Sequence, residues 1–358
     1  MNVKEQNLTA DRIRKQIASY PEMQIKDLFK FLYQSAFGCE HMISSPDKVK
    51  ERIVSEFESI KTRDTDLVIP LDGDYSRGSL SWLDKRMSAD TLGEIFTLSA
   101  KKEPDGIDLL KSKLEIAREL IVDGALPFNI NEFDNDVSAW MSDGFPAVSH
   151  SDLFRDTYLP SYRVISNRFI PFLPLLAELD KRLKQGSVTL AIEGGSASGK
   201  STLGAMLQQI YRCTLFHMDD FFLQPHQRTP DRFAEIGGNV DRERFLEEVL
   251  IPYSKGEDVA YRRFNCSTLE LEEPVICTQN ILTVTEGAYS MHPDLADYYD
   301  FSVFLDISPE YQRKRILKRN SPEFARRFFN DWIPMEIKYF KETEARDRWT
   351  MVIPIYEI

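Results

Sequence analysis

Apolar positions in the first half of the chain recur at three- and four-residue steps, which is the spacing of one face of an amphipathic helix. The segments with this pattern are 22–36, 89–102, 107–122 and 172–184. The last segment ends at Lys184-Gln185-Gly186-Ser187, where the polar residues and the glycine favour the end of a helix. We therefore predict a mostly α-helical N-terminal domain over residues 1–184.

The second half, residues 185–358, has a different pattern, because short apolar runs alternate with helical periodicity. The runs are Val188–Glu193, Thr214–His217, Ile281–Glu286, Phe301–Asp306 and Met351–Ile355. They are rich in β-branched residues and apolar throughout, as parallel strands are when both faces are covered. The alternation predicts an α/β domain with a doubly wound, mainly parallel sheet, and such sheets bind ligands beyond the carboxyl ends of their strands.

Composition narrows the classes of protein to be considered. With 358 residues, the chain is long enough for two domains with large hydrophobic cores, so neither a disulfide nor a metal is needed to hold it together. Its formal net charge of −12 disfavours binding to nucleic acid and to anionic membrane surfaces. An anionic ligand would therefore need a local cluster of cationic side chains.

The cysteines and the N-terminal residues indicate a cytoplasmic protein. Four cysteines, at positions 39, 213, 266 and 277, have no C-x-x-C spacing, which is typical of reduced thiols in a cytoplasm. The first residues lack the apolar stretch of a signal peptide, and no window approaches about 18 consecutive apolar residues. We expect a small-molecule partner and neither a nucleic-acid nor a membrane partner, and we leave homo-oligomer formation open.

A glycine-rich segment follows the first strand of the second half and matches the pattern G-x-x-x-x-G-K-[ST] at every fixed position. Its residues are Gly194, Gly195, Ser196, Ala197, Ser198, Gly199, Lys200, Ser201 and Thr202. Glycines let backbone N–H groups converge on phosphate oxygens, and the N-terminus of the following helix favours the same negative charge. Lys200 adds a positive charge for the β- and γ-phosphates, and the Ser201 hydroxyl is suited to bind Mg²⁺. The segment predicts a nucleotide-phosphate site.

Acidic residues follow two other predicted strands, at the edge of the sheet where ligands bind. Asp219 and Asp220 come after the strand Thr214–His217, and an aspartate there can accept the proton of an alcohol that attacks the γ-phosphate. Asp219 is nearer to the strand and is the better candidate base, while Asp220 is better suited to a helix cap or a metal contact. Glu286 ends another strand, and a carboxylate beside a triphosphate is costly unless a cation such as Mg²⁺ lies between them. The alternatives are a solvated turn for the aspartates and a glutamate without a metal role.

Four segments resemble, in order and spacing, the uridine kinase and phosphoribulokinase family of P-loop kinases, and the resemblance covers residues 188–356. The segments are GGSASGKST, MDDFF, VTEGAYS and a basic helix that begins at Ser308-Pro309-Glu310. The resemblance implies that Asp219 is the catalytic base, that Glu286 helps to hold Mg²⁺, and that the basic helix forms a lid over the phosphates. Arg315 and Arg319 share one face of that helix and would contact the transferring phosphoryl group. The alternative for this helix is a solvated basic face.

The segments expected to bind the acceptor depart from the family pattern. Phe222 stands in place of the tyrosine of the family's Asp-x-Phe-Tyr motif, so a hydroxyl group is absent there. Tyr261, Arg262 and Arg263 stand where uridine kinases have Pro-x-Tyr-Asp-Phe, and together with Asp220 they are our candidate acceptor residues. The arginine pair suggests an acceptor with its own negative charge or simply a different substrate. The alternative is a surface strand with basic side chains.

These features together predict a kinase that uses ATP and Mg²⁺ to phosphorylate a hydroxyl group of a small molecule. The resemblance favours a uridine- or cytidine-like nucleoside, with pantothenate, glycerate or a sugar phosphate as alternative acceptors. The predicted catalytic residues are Asp219, Lys200, Arg315 and Arg319. The loop 194–202 would bind the nucleotide, and Ser201 and Glu286 would hold Mg²⁺. A different class is also open, namely a nucleotide-sensing regulator that phosphorylates no small molecule.

Two groups of residues in the first half have no assigned role. The segment 144–163 is rich in arginine and in aromatic side chains with polar tips, which line ligand pockets and also fasten domains to their neighbours; we favour the interface. Cys39 and His41 are a weak pair of candidate metal ligands. The sequence thus leaves the role of the N-terminal domain unknown.

Overall fold

The computed structural model describes residues 1–39, 46–60, 65–100, 105–343 and 349–356. They form two compact units, Met1–Ala177 and Glu178–Ile358, and the division falls inside the helix Leu173–Leu183. His41 of the candidate metal pair lies outside the described residues, while Cys39 is buried and its thiol is free. Among the helices of the described ranges, none is both long and apolar enough to cross a membrane.

The first unit is mainly α-helical, as the periodicity of its apolar residues predicts. Its helices are α1 Val3–Ser19, α2 Ile25–Phe37, α3 Pro46–Ser59, α4 Ala89–Ser99, α5 Gly106–Val122, α6 Ile130–Ser142, α7 Asp152–Tyr158 and the start of α8 Leu173–Leu183. The predicted helical segments are confirmed as α2, α4, α5 and α8. Helix α4 begins where it does because the Ser88 side chain accepts a hydrogen bond from the Thr91 N–H, which would otherwise lack a partner in the first turn.

A small antiparallel sheet lies within the first unit. Its strands are β1 Val68–Pro70, β2 Tyr75–Ser79 and β3 Tyr162–Ser166, with β2 in the centre. The sequence pattern did not predict β2, because its sequence, YSRGS, contains no apolar run. The strand is nevertheless buried along its whole length, and the Arg77 side chain is hydrogen-bonded to Gln34 and Gln16 inside the unit.

The second unit contains the predicted parallel sheet. The strands of this unit are β4 Val188–Gly194, β5 Thr214–His217, β6 Val259–Asn265, β7 Glu270–Cys277, β8 Leu282–Glu286, β9 Phe301–Ile307 and β10 Met351–Ile355. Five of them form one sheet in the order β10-β9-β4-β8-β5, and every neighbouring pair is parallel. Strands β6 and β7 form a separate antiparallel ribbon. The prediction of a doubly wound α/β fold is therefore confirmed.

Helices flank this sheet, and its central strands form the core of the unit. The helices are α9 Lys200–Tyr211, α10 Pro230–Ala234, α11 Arg242–Phe245, α12 Ile251–Ser254, α13 Pro309–Arg319, α14 Pro322–Arg327 and α15 Ile333–Glu342. Leu190 and Ile192 of β4 and Val284 of β8 have no exposed surface. Their strands are apolar on both faces because both faces of the sheet are covered.

The register of the sheet brings the carboxyl ends of three strands together. Glu286 of β8 pairs with Ile192 of β4 on one side and with His217 of β5 on the other. Because the three strands are parallel neighbours, the segments that follow them share one edge of the sheet. The glycine-rich loop follows β4, Asp219 follows β5 and Glu286 ends β8, so the predicted site residues meet at this edge.

Candidate active site at the carboxyl edge of the sheet

The glycine-rich loop connects β4 to α9, and its backbone requires glycine at two positions. Gly194 has a φ of +151°, and a Cβ there would lie 2.8 Å from the carbonyl oxygen of Leu305. Gly199 has a φ of +108° and directly precedes the first residue of α9. Both conformations are unfavourable for a residue with a side chain. The glycines thus allow a loop that leads tightly into a helix N-terminus, an arrangement suited to a phosphate group.

Lys200, the first residue of α9, lies against the loop that precedes it. Its Nζ donates hydrogen bonds to the carbonyl oxygens of Gly194, at 2.7 Å, and of Gly195, at 3.1 Å. These contacts keep the ammonium charge beside the loop. The geometry is consistent with the predicted role of Lys200 toward nucleotide phosphates.

A cavity of about 360 Å³ opens beside the loop. The predicted residues that line it are Ser196, Ala197, Gly199, Lys200, Ser201, Thr202, Asp219, Glu286, Arg315 and Arg319. Gly194, Gly195 and Ser198 are buried and do not line it. The volume is within the range of small-molecule sites. Residues from four separate parts of the sequence therefore face one small cavity.

Asp219 lines this cavity just after β5. Its side chain is exposed to solvent, yet protein atoms surround it closely, and this desolvation raises the pKa of its carboxyl group above the usual value. The positive charges of Lys200 and His217 oppose the shift, while the negative charge of Glu286 adds to it. A carboxyl group with a raised pKa binds a proton more tightly, which suits a general base.

Glu286 is buried at the end of β8 and has a partner that the sequence motifs did not indicate. Its Oε1 lies 2.6 Å from Nδ1 of His217, the last residue of β5. This hydrogen bond is the main cause of the raised pKa of His217. The strand register contains the signal for the contact, because the two residues are opposite each other in neighbouring parallel strands.

Glu193 anchors the base of the loop, and it too was not singled out from the sequence. Its Oε1 accepts hydrogen bonds from the N–H groups of Gly194, at 3.0 Å, and Tyr289, at 3.2 Å. Its Oε2 accepts hydrogen bonds from the Met291 N–H and the Tyr339 hydroxyl, each at 3.2 Å. Burial raises the pKa of this carboxyl group to about 7. The available signal was an acidic residue inside the apolar run VTLAIEG.

Glu336 of α15 contacts the phosphate loop directly, and no sequence motif pointed to it. Its carboxylate accepts hydrogen bonds from the Ser196 N–H, at 2.9 Å, and from Ser196 Oγ, at 2.6 Å. Glu336 also lines the cavity. A loop N–H group of this kind is equally suited to a phosphate oxygen, so Glu336 and a phosphate group would compete for Ser196.

Helix α13 contacts the phosphate loop through residues on one face. Gln312 Nε2 donates a hydrogen bond to the Ser196 carbonyl oxygen at 2.9 Å, and Arg315 Nη1 donates one to the Ser198 carbonyl oxygen at 3.3 Å. Arg319 lines the cavity together with Arg315. The structure thus places both arginines beside the loop, whereas their contact with a phosphoryl group stays a prediction.

The candidate acceptor residues lie near the site but do not line this cavity. Asp220 Oδ2 accepts a hydrogen bond from the Tyr261 hydroxyl at 3.1 Å and lies 3.3 Å from Arg263 Nε. Burial, and after it the charge of Asp220, raises the pKa of Tyr261 to about 12. Arg262 donates hydrogen bonds to the carbonyl oxygens of Glu272 and Leu271 in the antiparallel ribbon. The role of these four residues in acceptor binding stays a prediction.

Other residues form a further part of the cavity wall, and apart from Phe222 the sequence analysis did not single them out. They are Phe222, Asn239, Val240 and Tyr289, together with the aromatic residues Phe324, Phe328 and Trp332. The Oδ1 atom of Asn239 is buried and has no hydrogen-bond partner among the described residues. A buried amide oxygen without a partner is costly, and because it is not accessible from the cavity, a ligand would reach it only if the Asn239 side chain rotated.

Comparisons with known proteins match part of this chain. Residues 189–326 match the sequence model of the family described as Phosphoribulokinase / Uridine kinase family. A region of 168 residues is 30% identical to the bifunctional alpha-galactosidase/sucrose kinase AgaSK of Mediterraneibacter gnavus. The match covers 39% of this chain and only 17% of that relative.

Two solved structures are similar to part of this chain. A possible uridine kinase from Bacillus stearothermophilus has a TM-score of 0.38 and 20% identity, over 49% of this chain and 99% of that chain. The D-glycerate 3-kinase from Cryptococcus neoformans var. grubii has a TM-score of 0.33 and 13% identity, over 42% of this chain and 78% of that chain. The family match confirms the resemblance that the motifs predict: residues 189–326 of this chain are similar to the phosphoribulokinase and uridine kinase family.

Proposed function

We propose that this chain is a kinase that uses ATP and Mg²⁺ to phosphorylate a hydroxyl group of a small molecule. The observation that carries the proposal is that the phosphate loop, Asp219, Glu286 and the arginines of α13 line one cavity. The family match supports a P-loop kinase that acts on small molecules. The nucleotide, the metal ion and the acceptor are the finer parts of the proposal.

The triphosphate would lie over the glycine-rich loop. Loop N–H groups and the N-terminus of α9 supply partial positive charge, and Lys200 supplies a full charge on a flexible stem. Arg315 and Arg319 would stabilise the negative charge of the transferring phosphoryl group from the side of α13. Most of the rate enhancement would come from this positioning and charge neutralisation.

The donor atoms of the cavity fit Mg²⁺. The Ser201 hydroxyl and the Glu286 carboxylate both line it, and oxygen donors are the ligands that Mg²⁺ prefers. Across the described ranges, no group of three or more His, Cys, Asp and Glu side chains could hold a metal alone. A magnesium ion bound by one or two side chains and by substrate phosphates needs no such group. When bound, Mg²⁺ neutralises negative charge on the phosphates.

Asp219 would act as the general base. Its carboxylate takes the proton of the acceptor hydroxyl while the hydroxyl oxygen forms a bond to the γ-phosphorus atom. The bond between that phosphorus atom and the oxygen that bridges it to the β-phosphate breaks, and ADP leaves with the electron pair. The desolvation that raises the pKa of Asp219 strengthens it as a base for this step.

The acceptor would be a neutral molecule rich in hydroxyl groups, such as a nucleoside or a sugar. Asn239 lines the cavity, and its side-chain amide is suited to hydrogen-bond with a hydroxyl group of a neutral ligand. Phe222 and Tyr289 offer ring surface beside it. The relative named a sucrose kinase adds support for carbohydrate acceptors.

The substitution Asp219→Asn tests the proposal. It keeps the size of the side chain and removes the base, so we expect ATP affinity to change less than about threefold and turnover to fall by about 100-fold or more. Turnover is measured as ADP release with nucleosides, neutral sugars, glycerate, pantothenate and sugar phosphates offered separately.

The control is Asp231→Asn, which changes an exposed carboxylate on α10 and should leave turnover unchanged. Unchanged phosphoryl transfer in Asp219→Asn would exclude Asp219 as the base. ADP release that is indifferent to every acceptor would instead favour the nucleotide-sensing regulator.

A further inference from the structure

The first unit contains a cavity of about 850 Å³ whose wall is strongly cationic. The charged side chains of its wall are Lys30, Lys48, Arg52, Arg155, Arg163 and Glu56. Over the described residues, five positive charges and one negative charge leave a net charge of +4 on this wall, in a chain whose net charge is −12. The volume is within the range of small-molecule sites. The wall therefore has the charge and the size of a site for an anionic ligand.

Among the described residues of the wall, Glu56 is the only carboxylate, and it contacts two arginines. Glu56 Oε2 lies 2.7 Å from Arg163 Nη1, and Glu56 Oε1 lies 3.7 Å from Arg52 Nη2. The guanidinium of Arg155 lies 3.6 Å from the exposed carboxylate of Asp152, which is not part of the wall. Exposed ion pairs of this kind are weak, so Arg155 remains available to a ligand.

Lys30 of α2 is half-buried in the same wall. Its Nζ donates a hydrogen bond to the Val148 carbonyl oxygen at 3.1 Å, and it has no carboxylate within ion-pair distance in the part of the chain that the structure describes. Burial, and after it the charges of Arg77 and Arg155, lowers the pKa of Lys30 to about 8, although Asp27 opposes the shift. A bound anion would stabilise the charged form of this lysine.

A buried hydrogen-bond network fixes this side of the cavity. His150 Nδ1 lies 3.0 Å from Asp27 Oδ1, and His150 Nε2 lies 2.7 Å from Tyr162 Oη. Gln34 Nε2 donates to Tyr162 Oη at 3.3 Å, while Gln34 Oε1 accepts from Arg77 Nη2 at 2.9 Å. Arg77 is 1% exposed and has no ion-pair partner in the described ranges. Its charge adds to the positive potential behind the wall, and the negative charge of the buried Asp27 opposes it.

We propose that this cavity is a binding site for a small organic phosphate. Lys30 and Arg155 would bind the phosphate group, since guanidinium groups bind phosphoryl oxygens at two points and an ammonium group adds a mobile charge. Tyr162 and Leu159, which also line the cavity, would contact the organic part. The segment 144–163, for which the sequence left a pocket and an interface open, supplies much of this wall. The site does not depend on the proposed kinase activity.

Calorimetric titration of the full chain with ribose 5-phosphate and with inorganic phosphate tests this proposal. We expect saturable binding of ribose 5-phosphate at low ionic strength, weakened by about tenfold or more in Lys30→Met and in Arg155→Gln. The matched controls are Lys26→Met, an exposed lysine one turn earlier in the same helix that does not line the cavity, and Arg118→Gln, an exposed arginine of α5. Both controls should bind as the unaltered chain does.

A second readout reports directly on Lys30. Titrations in buffers of different ionisation enthalpy, at about pH 8, should show proton uptake on binding in the unaltered chain and none in Lys30→Met. The absence of saturable binding at concentrations up to about 10 mM would overturn the proposal. Binding that both pocket variants leave unchanged would also overturn it, and equal affinity for inorganic phosphate would overturn the assignment of an organic ligand.

Discussion

The carboxylate of Glu286 contacts a histidine, and Glu286 also lines the cavity of the candidate active site. It is buried, it lies 2.6 Å from His217 Nδ1, and it lines the same cavity as Ser201 and Asp219. A buried carboxylate is tolerated because a cationic partner is close. His217 therefore stabilises Glu286 in the position that we propose for a metal ligand.

The substitution His217→Gln should destabilise the protein in a pH-dependent manner. The hydrogen bond to Glu286 raises the pKa of His217, so the folded protein binds this proton more tightly than the unfolded chain. The resulting stability is present below about pH 6.5, the usual histidine pKa, and is lost as the pH rises through the higher pKa of the folded state. We expect the loss in the free energy of unfolding to be larger at about pH 6 than at about pH 9.

Urea denaturation of both proteins at the two pH values measures this difference. The control is His226→Gln, because His226 is exposed and its replacement should cost little at either pH. An equal loss at both pH values in His217→Gln would show that the side chain contributes through packing alone and that the charge is irrelevant.

At the residue scale, the sequence predicts the functional residues that belong to a motif. It does not predict contacts between residues that only the fold brings together. Lys200, Asp219 and the glycines are recognisable because phosphate chemistry requires those residue types at that spacing. Glu336 lies in an ordinary amphipathic helix 140 residues away from Ser196 and is not marked by any pattern. Its contact with the loop depends on the docking of α15, which the sequence does not specify locally.

In helix α13, the effect of the overall positive charge of the helix can be separated from the effect of an arginine at one position. Its arginines Arg315 and Arg319 line the cavity, whereas the exposed Lys318 does not. We expect Arg319→Gln to lower kcat by about tenfold or more, because a charge beside the transferring phosphoryl group stabilises the transition state most. Steady-state kinetics with the preferred acceptor measures the change.

The variant Lys318→Gln removes the same charge from the same helix and is the matched control. It should change kcat by less than about twofold, since an exposed charge away from the cavity is screened by solvent and salt. Equal effects of the two substitutions would mean that α13 acts through its general positive charge, and that no particular arginine contacts the phosphoryl group.

At the scale of helices and strands, the sequence predicts best the elements that contain many apolar residues. The five strands of the parallel sheet are continuous apolar runs, so their positions could be predicted to within a residue or two at each end. Strand β2 is as buried as they are, but three of its five residues are Ser76, Arg77 and Ser79. Such a strand is stabilised by hydrogen bonds to distant side chains, including Gln34, and a local pattern does not contain that information.

At the scale of the whole molecule, the two cavities differ in charge. In the cavity beside the phosphate loop, Lys200, Arg315 and Arg319 are balanced by the carboxylates of Asp219, Glu286 and Glu336, whereas the described wall of the cavity in the first unit has more cations than carboxylates. The net charge of −12 of the whole chain disfavours non-specific binding to nucleic acid. The distribution suits a protein that binds small anions at local cationic sites and does not bind large polyanions.

Every residue that we assign to nucleotide binding lies within the second unit, Glu178–Ile358, and this unit has a buried core of its own. We therefore expect a fragment of residues 173–358, which keeps the whole of α8, to unfold cooperatively and to bind ATP within about threefold of the affinity of the full chain. Thermal denaturation and calorimetric titration measure the two properties. The same fragment with Lys200→Ala is the control and should unfold similarly but bind ATP at least about tenfold more weakly. A fragment that folds cooperatively yet fails to bind ATP would show that the first unit completes the nucleotide site, and the assignment of that site to the second unit alone would be wrong.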